Sequence, residues 1–312
     1  MNTGVCDFSA AKSQQDNNGY PIAVKRWAWL VALLTFPLIW LGGLVTTNDA
    51  GMAVPDWPGT FGYNMFLYPW TTWLFGPYDL FVEHGHRLLA SLVGLIAIAL
   101  CVAAYRNRAK PWVQKASVLL LMAIISQGLL GGVRVLLDAR VVALIHGCCG
   151  PLVFALACWV VMIQSTAYEK GRRSRDWLSR FSMVLFYLTI AQLILGAHLR
   201  HAPPNWQPVL FMAFVHTHLL FASLITLLIP GLFLGTRIGK SKLRQELRVP
   251  TIVLVGLVLV QVGLGIGTWI CSYALPIQEW NEFFAKYIID GRGFAETMII
   301  NGHQATGSLL IA

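Results

Sequence analysis

Eight stretches of this chain read as apolar spans that would cross a lipid bilayer. They lie near residues 27–46, 88–105, 114–133, 141–164, 177–197, 210–235, 250–271 and 297–312. A spanning helix needs about 20 mostly apolar residues. Within lipid every backbone polar group must find its partner inside the protein, which a helix achieves alone. Composition agrees: 56% of the residues are hydrophobic and 12% charged, against about 25% charged in soluble domains. The expected fold is an all-α membrane protein of eight transmembrane helices, arranged as two repeated four-helix bundles.

The formal net charge of +9 raises the question of a nucleic-acid partner, and its distribution answers it. Basic residues concentrate in the N-terminal segment (Lys12, Lys25, Arg26) and around 106–115, 170–180 and 237–248. These segments fall on one side of the membrane in an eight-span reading, and most acids fall on the other. That is the positive-inside bias. It puts both termini in the cytoplasm and leaves no role for nucleic acid. The first twenty residues are polar, with Asp7, Gln14, Gln15 and Asp16. They fit neither a secretory signal nor an Arg-rich transit peptide, so the expected location is a bacterial plasma membrane, crossed several times. The organisation reads as a cytoplasmic segment 1–26, a first half 27–168 with a long outer loop 47–83, a basic linker 169–180, and a second half 181–312.

The halves echo each other. His84-Gly85-His86-Arg87-Leu88-Leu89-Ala90-Ser91-Leu92 matches His216-Thr217-His218-Leu219-Leu220-Phe221-Ala222-Ser223-Leu224 at six of nine positions. His146-Gly147-Cys148-Cys149-Gly150-Pro151-Leu152 is echoed by His303-Gln304-Ala305-Thr306-Gly307-Ser308-Leu309. Each even-numbered helix thus carries a histidine near its outer end. A third echo, Gln-x-x-Leu-Gly, starts at Gln127, Gln192 and Gln261. It reads as close helix packing through small residues.

Ionisable groups inside a membrane are functional candidates by default. The chemistries open to four such histidines are proton relay, a metal ion and haem. A relay would recruit buried carboxylates, and the inner halves of the spans hold almost none. A non-haem metal wants three or four ligands on one ion. Haem needs one or two axial ligands from facing helices. Pairing His86 with His146, and His218 with His303, gives two haem sites. Gly85, Ala90, Gly147, Gly150, Ala305 and Gly307 leave room for a flat ring. Arg87, Arg134 and Arg200 lie where propionates would emerge, the natural contact for a guanidinium. His84 and His216 point away from their neighbours two residues on, which favours His86 and His218. His198 and His201 read as interfacial. Glu83 shares a face with His86 and aligns with Val215, and Arg87 aligns with Leu219, so only the first half keeps an acid beside its ligand. A carboxylate there can move protons. This asymmetry points to one reactive site and one that holds its haem.

These residues resemble the haem A synthase family (CtaA/Cox15-like), integral membrane oxygenases of cytochrome oxidase biogenesis. The marks are Gly42-Gly43-Leu44-Val45-Thr46-Thr47, Asp49-Ala50-Gly51-Met52, Pro55-Asp56-Trp57-Pro58, Glu83-x-x-His86-Arg87, His146, His218 and His303-Gln304-Ala305. The resemblance implies oxidation of a ring methyl of haem O to a formyl group, giving haem A. It implies substrate-haem ligands His86 and His146, a haem B cofactor on His218 and His303, and Glu83 as the acid of the oxidation. Implied partners are haem O synthase, the terminal oxidase under assembly, an electron donor, membrane lipid and further copies of this chain. Two departures stand out. The outer loop has no cysteine, with Val54 before Pro55, so the cysteine pair of some bacterial members is absent. The second half has Leu219 where the first has Arg87. A di-haem electron-transfer cytochrome and a haem carrier remain the rival readings.

Overall fold

The computed structural model describes residues 19–171, 176–203, 205–238, 242–273 and 293–312. The basic residues Lys12, Arg172, Arg173, Arg175 and Lys240, and the segment 274–292, lie outside the described residues.

Eight long helices are described. They are α1 (Ile22–Thr47), α2 (Tyr78–Arg106), α3 (Pro111–Leu137) and α4 (Arg140–Met162). Then come α5 (Trp177–Arg200), α6 (Pro208–Arg237), α7 (Arg248–Tyr273) and α8 (Phe294–Ile311). No strand occurs among the described residues. Local chemistry starts several of them. Pro111 and Pro208 open α3 and α6, where a missing N–H costs nothing. Asp176 caps α5 by accepting the Ser179 N–H at 3.1 Å, the usual task of an N-cap carboxylate.

Seven of these helices are long and apolar enough to cross a membrane. The eighth, α8, has 18 residues, and Glu296, Asn301, His303 and Gln304 dilute its apolar character. Helix α2 begins well before the apolar stretch 88–105. Its first turns hold Leu80, Val82, Glu83 and His84, all buried in protein, so that part of the helix need not be apolar to be stable.

Packing divides the helices into two groups. In the first, α1–α2, α2–α3, α3–α4 and α4–α1 are in contact, which closes a ring. In the second, α5–α6, α6–α7, α7–α8 and α8–α5 do the same. The groups meet where α8 lies on α1 and α4, and α5 on α4. Val24, Ala28, Val31, Val93, Ala97 and Leu120 fill the first core, and Leu185, Ile225, Ile229 and Val258 the second. Large apolar side chains such as Leu33, Leu95 and Leu227 face outward, exposed. Outward apolar surface is what a lipid-facing protein presents.

Candidate functional site

Each ring of helices holds two of the four histidines. His86 on α2 packs against Gly42 of α1, and His146 on α4 against Gly131 of α3. His218 on α6 packs against Gly196 of α5, and His303 on α8 against Gly265 of α7. The His218 and His303 rings lie 6.4 Å apart, centroid to centroid, inclined at 72°. His216 is exposed, on the other face of α6. His84 is also turned away: its Nδ1 lies 3.1 Å from Thr60 Oγ1, between the rings of Tyr68 and Trp73.

Protonation follows from the partners. A carbonyl can only accept, so His303 Nδ1–H donates to the Gln261 carbonyl at 3.2 Å. Its Nε2 then carries a lone pair. Gln192 donates its amide N–H to His218 Nε2 at 3.1 Å, which marks that nitrogen as unprotonated too. A neutral imidazole fixed by its other nitrogen is the state a metal ligand requires, and His303 is in it; on His218 the Gln192 amide occupies Nε2 and would have to give way for that nitrogen to bind a metal. The Nδ1 atoms of His86, His146 and His218 are buried without a hydrogen-bond partner.

These observations allow a test of whether haem fits. Two imidazoles across one iron, each with a metal–nitrogen bond of about 2 Å, place their ring centres roughly 6 Å apart. The His218–His303 spacing meets that requirement. Glycines stand beside every ring. The donor set therefore fits haem most directly at the half-buried His218 and His303, whose rings stand at that spacing, while the half-buried His86 and His146 share the first ring of helices.

The long loop between α1 and α2 is tied to α2 by one buried ion pair. Glu83 is 3% exposed and Arg87 9%. Glu83 Oε2 accepts the Val54 N–H at 2.9 Å, and Oε1 accepts from Arg87 at 2.8 Å. Arg87 also donates to the carbonyls of Val54, Asp56 and Gly59 at 2.6, 2.7 and 3.0 Å. Both carboxylate oxygens and the guanidinium are thus engaged in holding Pro55-Asp56-Trp57-Pro58. Asp56 in turn accepts the Phe61 and Gly62 N–H groups at 2.8 and 2.9 Å. Partial burial would raise the Asp56 carboxyl, but those N–H groups and the Arg87 charge outweigh it and hold it below its usual value. Trp57 lies against Gly132, and Arg134 donates to the Gly51 carbonyl at 2.6 Å. The loop therefore seats on α2 and α3 together.

Arg200 joins the two rings of helices. From the end of α5 it donates to the Gly43 carbonyl at 2.9 Å and to Thr47 Oγ1 at 2.7 Å, both on α1. Asn301 of α8 donates to the Trp40 carbonyl at 3.1 Å. A Cβ at Gly43 would overlap the Asn301 amide. Three buried atoms at this joint have no partner: Arg200 Nε, Asn301 Oδ1 and Gln304 Oε1. Sequence reasoning read His201 as interfacial. The structure packs it against α4, with Nε2 3.6 Å from where a Gly147 Cβ would sit, one residue from His146. It also did not find Asn301, because its partner is a backbone carbonyl on a helix far away in the chain. His198 stays at the periphery, stacked on Phe214 at 5.3 Å.

Comparison with known proteins follows the same line. A family model described as cytochrome oxidase assembly protein, COX15-CtaA, matches residues 25–204. A protein named heme A synthase from Shouchella clausii is 26% identical over 239 residues, covering 68% of this chain and 76% of that one. Another of that name from Methylorubrum populi is 37% identical over 95 residues, 28% of this chain and 24% of the relative. A third, from Halalkalibacterium halodurans, is 25% identical over 188 residues, 57% of this chain and 60% of its own length. The family match takes in more than half of the chain, including the outer loop, Glu83, Arg87, His86 and His146. This chain belongs to the COX15-CtaA family of cytochrome oxidase assembly proteins.

Proposed function

We propose that the chain is a haem A synthase, an oxidoreductase that converts a ring methyl group of haem O to a formyl group for cytochrome oxidase assembly. The observation that carries this reading is the half-buried His218–His303 pair, with a neutral His303, in a family whose relatives bear that name. In this reading His86 and His146 bind the substrate haem O in the first half. His218 and His303 bind a haem B cofactor in the second. The cofactor, when bound, supplies one-electron chemistry. The chain's own residues orient the rings, exclude water and hold the outer loop over the first half. Glu83 is the acid proposed for the oxidation, and Arg87, Arg134 and Arg200 are the proposed propionate contacts. Release of Arg87 or Arg134 from loop carbonyls would accompany that role.

The same reading takes α8 as an eighth span, the two rings of helices as copies of one repeat, and the N-terminus as cytoplasmic. It places the protein in a bacterial plasma membrane, receiving substrate from haem O synthase and delivering product to the oxidase under assembly. The experiment is to express the chain in a host without its own haem A synthase, with haem O synthase supplied. Extracted haems are separated by chromatography with mass detection. Haem A or its hydroxymethyl precursor, absent in H86A, is the expected result. Haem B with unchanged haem O from folded, haem-loaded protein would instead favour a di-haem electron carrier.

A further inference from the structure

All four histidines meet a glycine in the same way. The ideal Cβ position lies 3.0 Å from the ring at Gly42–His86, 3.3 Å at Gly131–His146, 3.2 Å at Gly196–His218 and 3.0 Å at Gly265–His303. In every case the nearest ring atom is Cε1. All four distances are tighter than the 3.4–4 Å of ordinary contact. The glycine always belongs to the odd-numbered helix and the histidine to the helix that follows it. Each glycine follows a leucine: Leu41, Leu130, Leu195 and Leu264. The residue one turn earlier is Gln127, Gln192 or Gln261, and Leu38 in α1. Residues four apart share a helix face, and two of these turns reach the ring itself. The Gln261 main-chain carbonyl accepts from His303 Nδ1, and the Gln192 side-chain amide donates to His218 Nε2. Five other helix glycines, Gly94, Gly128, Gly150, Gly256 and Gly263, meet nothing within 4 Å, and crowded ones such as Gly132, Gly231 and Gly235 meet tryptophan, phenylalanine or leucine and not histidine.

Resting on the haem reading, we propose that Gly42, Gly131, Gly196 and Gly265 are positioning residues, each a seat that sets the tilt of one ligand imidazole. Cε1 sits between the two ring nitrogens. A methyl group pressed against it swings Nε2 off the line to the iron, while the opposite face of the ring is left free. The repeating element of the protein is on this account a two-helix unit, Leu-Gly on the first helix and His on the second, present four times.

Alanine is the decisive substitution, because it favours helix over glycine; the helix itself is not weakened and the loss is local. The test uses the haem-loaded full chain in detergent. It compares G265A and G196A with G263A, which lies two residues from the Gly265 seat, on a different face of the same helix and in open space. Haem content, haem release rate and the low-spin electron paramagnetic resonance signal are read. A side chain forced off its preferred rotamer gives up to roughly a tenfold change in an equilibrium constant. G265A and G196A are therefore expected to shift or split the low-spin signal and release haem up to about tenfold faster. G263A, and G42A in the other half, are expected to keep the wild-type signal of the second half. A low-spin wild type whose signal and release rate are unchanged in both G265A and G196A overturns the seats alone. A folded wild type without haem overturns the haem reading and the seats with it.

Discussion

Replacing Glu83 by alanine isolates what the buried ion pair does. The substitution removes the acceptor of the Val54 N–H and one of four partners of the Arg87 guanidinium. Arg87 keeps three carbonyl partners but loses its counter-charge while remaining 9% exposed. Breaking a buried pair by removing one partner costs about 3–5 kcal/mol, and the remaining carbonyls put this case near the lower end. About 1.4 kcal/mol is a factor of ten. The Val54 amide and the segment 56–63 should therefore exchange hydrogen roughly a hundredfold faster or more in E83A. Hydrogen exchange read by mass spectrometry on detergent-solubilised protein measures this directly. E83Q retains an oxygen for the Val54 N–H but loses the charge and the oxygen that accepts from Arg87, so it should open the loop less than E83A. If Val54 exchanges at the wild-type rate in E83A, the loop is not held by Glu83. The pair of variants also separates two roles. A closed loop with no product in E83Q would assign the carboxylate itself to the oxidation, and loss of product in E83A alone would assign it to holding the loop.

Two further outcomes follow from the loop and the joint. Asp56 has a depressed carboxyl, so its contribution is present above the ordinary aspartate value of about 4 and is lost as pH falls through its lower folded value. Loop protection at Phe61 and Gly62 should hold from neutral pH to about pH 4 and fall below that, whereas D56A should lack it at every pH. At the joint, G43A would push aside the Asn301 amide and break its bond to the Trp40 carbonyl. An unsatisfied buried polar group costs about 1–3 kcal/mol. The thermal midpoint in detergent should fall for G43A and stay put for G94A, whose Cβ meets nothing; equal midpoints would remove Gly43 from the joint.

The sequence exposes the features that carry a chemical type at a regular spacing. Apolar stretches point to all eight long helices, but the structure has seven that are apolar and long enough to span, because Glu296, Asn301, His303 and Gln304 dilute α8. His86 and His146 occupy the same ring of helices, as pairing within a half requires. The loop latch was only half visible. Glu83 and Arg87 stand out as charges one turn apart, but their partners Val54, Asp56 and Gly59 contribute backbone atoms, which no side-chain pattern marks. The Gln-x-x-Leu-Gly echo was visible as well. Gln-x-x-Leu-Gly reads as helix packing, and it is packing, but of a helix against an imidazole. The fourth copy is hidden because Leu38 stands where the others have glutamine. His201 escaped for a different reason: its neighbour Gly147 belongs to the other half, and contact between halves leaves no local signal.

The claim on which the rest depends is that two histidine pairs hold two haems in separate halves. Haem content per chain, measured on purified H218A and H86A side by side, tests it most directly. The account predicts that H218A loses the resident haem, while H86A keeps it and makes no haem A. Both variants retaining a full complement of haem would contradict the ligand assignment and the division of labour built on it.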